Sequence, residues 1–172
     1  MDKRWISILI IIILAICCGY LIVSSSNTVG NAIVDVNKST VTIPHHFSVG
    51  SEEKDSIVLN ERSGTAKIFV KDLGKISNFK KLFDKEVKSL SDNEEIDILK
   101  NTTNSTADFE YYTVYYQDYS DSEMYNKSIT YLYKFNHTYL VKCDGFKDTG
   151  FLDSNLDLII NTIKLDYKKS QE

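Results

Sequence analysis

The feature that most constrains the fold is an uncharged run close to the N-terminus. Residues 5–23 read WISILIIIILAICCGYLIV, nineteen residues without an acidic or basic side chain. A helix of this length rises about 28 Å, close to the roughly 30 Å hydrocarbon core of a bilayer. The run therefore predicts one transmembrane helix, and any folded domain must be built from the residues that follow it.

The charges that flank this run predict its orientation. Lys3 and Arg4 directly precede it, and the first charged residue after it is Asp35. Because positive flanks stay in the cytoplasm, we expect a single-pass signal anchor in the cell membrane, with a cytoplasmic N-terminus and an extracytoplasmic C-terminal domain. A cleavable signal peptide ending after Ser26 is the alternative, and it exports the same residues.

The three cysteines do not form a disulfide framework. Cys17 and Cys18 lie inside the apolar run, which leaves Cys143 alone in the rest of the chain. No disulfide within the exported domain is therefore expected. Ile16 before Cys17 disfavours a lipoprotein signal, which needs a small residue there. We expect Cys143 to be a small buried strand residue rather than a reactive thiol.

Hydrophobic periodicity after the run predicts one α+β domain. We divide the chain into a cytoplasmic stub and transmembrane anchor at 1–26, a tether at 27–38, an exported domain at 39–167 and a polar tail at 168–172. The domain reads β-β-β-α-β-β-β-β-α, and its short connections favour antiparallel pairing. Two helices packed with one antiparallel sheet are therefore expected.

Alternation and helical spacing name the inward residues of these elements. The segment STVTIPHHFSV, interpreted as one strand, points Val41, Ile43 and Phe47 inward. In the segment TAKIFVKDL, alternation puts Ala66, Ile68 and Val70 on one face or Phe69 on the other. The first helix has an apolar face that consists of Phe79, Leu82, Phe83, Val87 and Leu90. The apolar face of the second helix consists of Leu156, Ile159, Ile160 and Ile163.

Local signals predict where these elements begin and end. Ser77 or Asn78 is expected to cap the first helix, and Asp153 or Ser154 the second. A two-residue hairpin turn is predicted at Asn136 and His137, because Asn tolerates a positive φ.

The arrangement resembles the PsbP/Mog1-like fold over residues 39–166. Members have an aromatic-rich strand around a proline, here Ile43–Val49, and a closing helix that ends in an I-x-x-T-I-K pattern, here Ile159–Lys164. The chain is also similar to small membrane-anchored exported proteins of methanogenic archaea that have no assigned activity. PsbP relatives assist photosystem assembly and Mog1 relatives bind a small GTPase, so the resemblance implies a fold and no particular activity.

Motifs that would assign a chemistry are missing from the sequence. It has no G-x-G-x-x-G, P-loop, H-E-x-x-H, G-x-S-x-G or C-x-x-C pattern. His45 and His46 are adjacent, so on a strand they point to opposite faces and do not share a metal. We therefore assign no catalytic, cofactor-binding or metal-binding residue. The net charge of −4 also argues against a nucleic-acid partner.

Tyrosine is the most unusual component of the exported domain. On paired strands, one set of these side chains is expected to pack beneath the helices and the other to face solvent. Exposed tyrosines are typical of surfaces that bind an envelope protein or a glycan. The candidate binding face consists of Tyr111, Tyr115, Tyr131 and Tyr133.

Asn-x-Ser/Thr sequons mark candidate glycosylation sites. Asn101 and Asn104 lie in the polar stretch NTTNST, which we interpret as an exposed loop.

Three hypotheses for function follow from these patterns. The first is a non-enzymatic binding or assembly domain displayed on the outer face of the membrane and held there by residues 5–23. The second is a cell-surface hydrolase with a dispersed carboxylate site. The third is a purely structural component of the envelope.

Overall fold

A computed structural model of the chain describes residues 33–119 and 123–165. The predicted transmembrane run at 5–23, the alternative cleavage after Ser26 and the predicted polar tail lie outside these residues. Across the two described ranges, no helix combines the length and the apolarity that a bilayer crossing requires.

Two helices interrupt a series of ten strands in the described residues. In chain order the elements are β1 (Ile33–Val36), β2 (Ser39–Thr42), β3 (Phe47–Glu52), β4 (Ser56–Glu61), β5 (Lys67–Asp72), α1 (Phe79–Ser91), β6 (Ile96–Ser105), β7 (Phe109–Asp118), β8 (Tyr125–Lys134), β9 (His137–Phe146), α2 (Thr149–Thr162) and β10 (Lys164–Leu165).

Most of the strands form one large antiparallel sheet. Its seven strands lie in the order β3-β4-β5-β9-β8-β7-β6, and a smaller sheet has the order β1-β2-β10. Neighbouring strands are antiparallel in both sheets. Consecutive strands are joined by short turns, which permit only antiparallel neighbours. The expected α+β architecture with two helices and an antiparallel sheet is confirmed for the described residues.

The two helices cover opposite faces of the large sheet. Helix α1 packs on β6, β7 and β8, where Phe79 and Phe83 join a buried cluster with Val114 and Ile129. Helix α2 packs on β8 and β9 and also contacts β2 of the small sheet. All the inward strand residues and all four residues of the second apolar face are buried, as the periodicity predicted. The large sheet therefore has apolar residues on both faces.

The first predicted strand is two strands separated by a turn. β2 ends at Thr42 and β3 begins at Phe47, whose amide donates to the carbonyl of Pro44 at 2.9 Å. Pro44 has no N–H to give to a ladder, so pairing stops there. Part of the predicted tether also belongs to the fold, because Ile33–Val36 is strand β1 and pairs with β2.

The polar stretch predicted as a loop is part of a strand. Asn101 lies opposite Val114, and Asn104 lies opposite Tyr111, so β6 continues through NTTNS to Ser105. Both asparagines are exposed. β6 is an edge strand, and its outer side needs no apolar residues, which is why composition alone suggested a loop.

Two predicted boundaries are shifted and one is confirmed. The β8–β9 turn consists of Phe135 and Asn136, with φ angles of 53° and 62°, rather than Asn136 and His137. Helix α2 begins at Thr149, earlier than predicted, because Asp148 caps it by accepting from the Phe151 amide at 2.7 Å. The prediction that Asn78 caps α1 is confirmed, since its side-chain oxygen accepts from the Lys81 amide at 3.3 Å.

Candidate functional site

The four tyrosines of the predicted binding face do not lie on one face. Tyr131 lies directly opposite Tyr112 on the neighbouring strand, so Tyr131 and Tyr133 share the α1 face. Tyr111 and Tyr115 belong to the cluster on the α2 face. The prediction of a common face was wrong because the β7–β8 register sets the two pairs one residue out of phase.

Most of this tyrosine surface is used in packing. Tyr115 and Tyr131 are only 9% and 7% exposed, and Tyr111 and Tyr133 are half-buried. The ring of Phe79 from α1 stacks on Tyr133 with centroids 5.4 Å apart. The described residues therefore offer no broad tyrosine patch to a partner.

Burial of the tyrosines predicts an alkaline unfolding transition. Burial raises the pKa of Tyr139 and of Tyr116 to about 12. An unfolded phenol titrates near pH 10, so the stability linked to these groups is present below about pH 10 and is lost up to about pH 12. We expect the circular dichroism signal of the folded domain to be lost in this range. Tyr116→Phe should move the midpoint of this loss to higher pH, and an unchanged midpoint would contradict the contribution of Tyr116.

One cavity lies where four segments of the chain meet. They are the β1–β2 turn, the loop after β5, the β8–β9 turn and strand β10. The cavity, which we call the four-segment cavity, has a volume of about 250 Å³. Its walls are formed by Lys38, Lys75, Phe135, Asn136, His137 and Leu165.

A buried carboxylate, Asp72, joins three of these segments beneath the cavity. It accepts from the side-chain amide of Asn37 at 3.0 Å and from the backbone amide of Gly74 at 2.7 Å. His137 Nδ1 lies 3.1 Å from each of its oxygens. Because an ionised carboxylate only accepts hydrogen bonds, Nδ1 carries the proton and donates it. Asp72 therefore fixes the orientation of the His137 ring in the cavity wall.

Backbone hydrogen bonds fix the loop after β5 against β9. The Leu73 amide donates to the Thr138 carbonyl, and the Thr138 amide donates to the Gly74 carbonyl, both at 2.8 Å. The Thr138 hydroxyl also donates to the Ile76 carbonyl at 3.2 Å. These contacts hold Lys75 beside the β8–β9 turn, so this wall of the cavity is rigid.

The two lysines of the cavity bring positive charge that the fold does not neutralise. Within residues 33–119 and 123–165, neither Lys38 nor Lys75 has an ion-pair or hydrogen-bond partner for its ammonium group. A smaller hollow of about 140 Å³ adjoins and shares Lys75 and Asn136. There the Tyr133 hydroxyl donates to Asn136 Oδ1 at 2.8 Å. The two lysines suit an anionic group of a ligand, and the smaller hollow suits a small polar group attached to it.

The cavity has no group arranged for nucleophilic catalysis in the part of the chain that is described. His137 Nδ1 is occupied by Asp72, and the nearby Ser39 hydroxyl is hydrogen-bonded to the Tyr139 hydroxyl at 2.6 Å. Cys143 is fully buried, and burial raises the pKa of its thiol to about 12, as befits a structural cysteine. No cluster of three or more His, Cys, Asp or Glu side chains in the described ranges is suited to a metal ion.

A larger cavity of about 550 Å³ lies at the start of α2, beside the β4–β5 turn. Its two carboxylates are engaged by the backbone: Glu61 accepts from the Ala66 amide at 3.2 Å, and Asp148 caps the helix. Phe146 and Phe151 form its apolar side. These carboxylates stabilise local structure and are not a pair poised for acid–base catalysis.

Gly145, which borders this larger cavity, provides a test of the local backbone. It has a φ of +74°, and a Cβ there would lie 2.5 Å from the carbonyl oxygen of Thr65. Gly74 has a φ of +73° but nothing within 4 Å of its Cβ position. We expect Gly74→Ala to lower the free energy of unfolding by about 1 kcal/mol and Gly145→Ala by about 2–4 kcal/mol. Denaturant unfolding measures both, and equal losses would contradict the Thr65 contact.

The sequence contains one signal of the four-segment cavity, which is the position of Asp72 in the alternation of β5. Ala66, Ile68 and Val70 point inward, so the same alternation points Asp72 inward as well. A carboxylate at a buried position needs hydrogen-bond partners, so this position marks a polar cluster. The sequence suggested only a turn position for His137, and nothing local marked Lys38 or Lys75.

Comparisons with known proteins bear on the fold. The structure is similar to the Ran-binding protein Mog1p of Saccharomyces cerevisiae, with a TM-score of 0.57 and 10% identity over 79% of this chain and 95% of that one. It is also similar to PsbP (CyanoP) of Synechocystis, with a TM-score of 0.51 and 11% identity over 79% of this chain and 92% of that one.

Two comparisons of the sequence gave no match. No protein-family model matches it, and no curated protein matches it either. The similarity to Mog1p and PsbP shows that the domain has an α+β fold of the PsbP/Mog1-like type, as the sequence resemblance predicted.

Proposed function

We propose that the chain is a single-pass membrane protein whose α+β domain is a non-enzymatic binding module on the outer face of the membrane. The observation that carries the binding role is the four-segment cavity. There the ammonium groups of Lys38 and Lys75, which have no partner among residues 33–119 and 123–165, lie beside a fixed His137. Unpaired charge in a rigid concave wall is available to a ligand. The uncharged run at 5–23, with Lys3 and Arg4 before it, supports the anchor and its orientation.

The contacts of the cavity carboxylates favour binding over hydrolysis. Mog1p, which has this fold, is a Ran-binding protein. At 10% identity neither its partner nor its role carries over, because a shared fold does not assign an activity. The alternative of a hydrolase requires carboxylates that are free to transfer protons. Glu61 and Asp148 in the larger cavity, and Asp72 behind the wall of the four-segment cavity, are each held by backbone or side-chain donors.

Photo-crosslinking in native membranes tests the binding role. A benzophenone amino acid at Phe135, on the cavity rim, should yield a discrete adduct. The matched control carries the benzophenone amino acid at Val49, on the edge strand β3. The native side chains at both positions are about 40% exposed. Adducts of equal yield at both positions, or none at Phe135, would contradict a partner at this cavity.

Fractionation tests the anchor in the same preparation. The full chain should remain in the membrane pellet after alkaline carbonate extraction, and a variant lacking residues 5–23 should appear in the supernatant. Protease added to intact cells should degrade the domain. A full chain released by carbonate would contradict the anchor, and a domain protected in intact cells would contradict the orientation.

A further inference from the structure

We propose that the four-segment cavity binds a phosphate group, carried either by a phospholipid headgroup or by a soluble phosphoester. The inference rests on the binding role proposed above and names the chemistry of the ligand. It follows from the charge, the kind of donor and the walls of the cavity.

The charge around the cavity favours an anion. Lys38 and Lys75 contribute two ammonium groups that have no acidic partner in the described part of the chain. The carboxylate beneath the cavity floor is Asp72, and its oxygens are turned to Asn37, Gly74 and His137. The field in the cavity is therefore positive, and an anion that enters it meets no exposed carboxylate among the lining residues.

The kind of donor favours phosphate over carboxylate. The cavity lining has no Arg, whose planar fork matches a carboxylate with two parallel hydrogen bonds. It has instead Lys38 and Lys75, whose ammonium groups are compact point charges carried by two separate segments of the chain. Point donors on separate segments suit a tetrahedral oxyanion.

The remaining walls suit the carbon part of a phosphoester. Phe135 is 38% exposed, and Leu165 belongs to the same lining. A volume of about 250 Å³ is below the usual range of sites that enclose a whole drug-sized ligand. The cavity therefore fits a phosphate with a few attached carbons, while the rest of a larger ligand stays outside.

Equilibrium binding with the full chain in an uncharged detergent tests the proposal. The probes are inorganic phosphate, glycerol phosphate, acetate and, in a separate arm with reconstituted chain, vesicles of phosphatidylcholine with or without phosphatidic acid. The variants are Lys38→Gln, Lys75→Gln and Lys75→Glu. Lys81→Gln is the matched control, because Lys81 is an exposed lysine of α1 outside the cavity. These surface changes leave the buried core untouched.

Saturable binding of phosphate or glycerol phosphate, weakened about tenfold by Lys38→Gln or Lys75→Gln and unchanged by Lys81→Gln, supports a soluble phosphoester. The same variant pattern seen only with phosphatidic acid vesicles supports a lipid headgroup. Acetate binding as tight as phosphate, losses equal in Lys81→Gln, or no binding in either arm overturns the proposal. Overturning it leaves the binding role standing if the Phe135 crosslink still forms.

Discussion

Replacing Asp72 with alanine is expected to lower the free energy of unfolding by about 3–5 kcal/mol. The carboxylate is buried and accepts hydrogen bonds from Asn37, Gly74 and His137, which lie on three different segments. Removing it leaves three half-buried donors without their partner, and each donor left unsatisfied is unfavourable. Chemical denaturation of the full chain in detergent measures the loss.

Asp55 provides the matched control for that substitution. Its carboxylate pairs with Lys71 at 3.3 Å on the surface, with both side chains about 40% exposed. Asp55→Ala should therefore cost no more than about 1 kcal/mol. If the two alanine variants were equally stable, Asp72 would not be the residue that holds the four-segment cavity together.

Truncation of Leu132 is the second change with a large expected effect. Leu132 lies on β8, in the interior of the seven-stranded sheet, and its side chain is fully buried in the cluster beneath α2. Leu132→Ala removes apolar contacts and leaves a cavity in a sheet that is covered on both sides. We expect a loss of about 2–5 kcal/mol in the free energy of unfolding, measured by the same denaturation.

Leu99 is the corresponding leucine at the sheet edge. It lies on β6, within the irregularity between Ile98 and Lys100, and is 44% exposed. Leu99→Ala should change the unfolding free energy by no more than about 0.5 kcal/mol. A large loss of unfolding free energy for Leu99→Ala, together with a small loss for Leu132→Ala, would contradict a strand order that puts β8 inside the sheet and β6 at its edge.

Patterns within single elements predicted much of the fold. Alternation placed Ala66, Ile68 and Val70 on one face of a strand, and the structure shows that this face is buried. Helical spacing identified the apolar faces of both helices. These predictions succeed because burial of one face is decided by residues close in sequence. The PsbP/Mog1-like resemblance is confirmed at the level of fold by the similarity to Mog1p and PsbP.

Register and the site depend on contacts that local patterns do not contain. The tyrosine prediction failed because the pairing of Tyr112 with Tyr131 depends on the β7–β8 connection, not on either strand. The cavity depends on still longer separations, since His137 is 65 positions from Asp72 and Asn37 is 35 positions from it. Only the folded chain brings these residues together.

The membrane anchor, the exported location and glycosylation of Asn101 and Asn104 stay predictions of the sequence. The structure adds that both asparagines are exposed on the edge strand β6, opposite Val114 and Tyr111. A glycan on either side chain would be attached to the edge strand of the large sheet.

The most direct test of a ligand site in the four-segment cavity is an amide chemical-shift titration of the isotopically labelled full chain with glycerol phosphate. We expect saturable shifts at Lys38, Lys75, His137 and Leu165, which lie on four separate segments around one cavity. Amides of the distant strand β3, such as Val49, should stay unchanged. Saturable shifts centred on β3, or no saturable shift at the four cavity residues, would contradict a ligand site in this cavity.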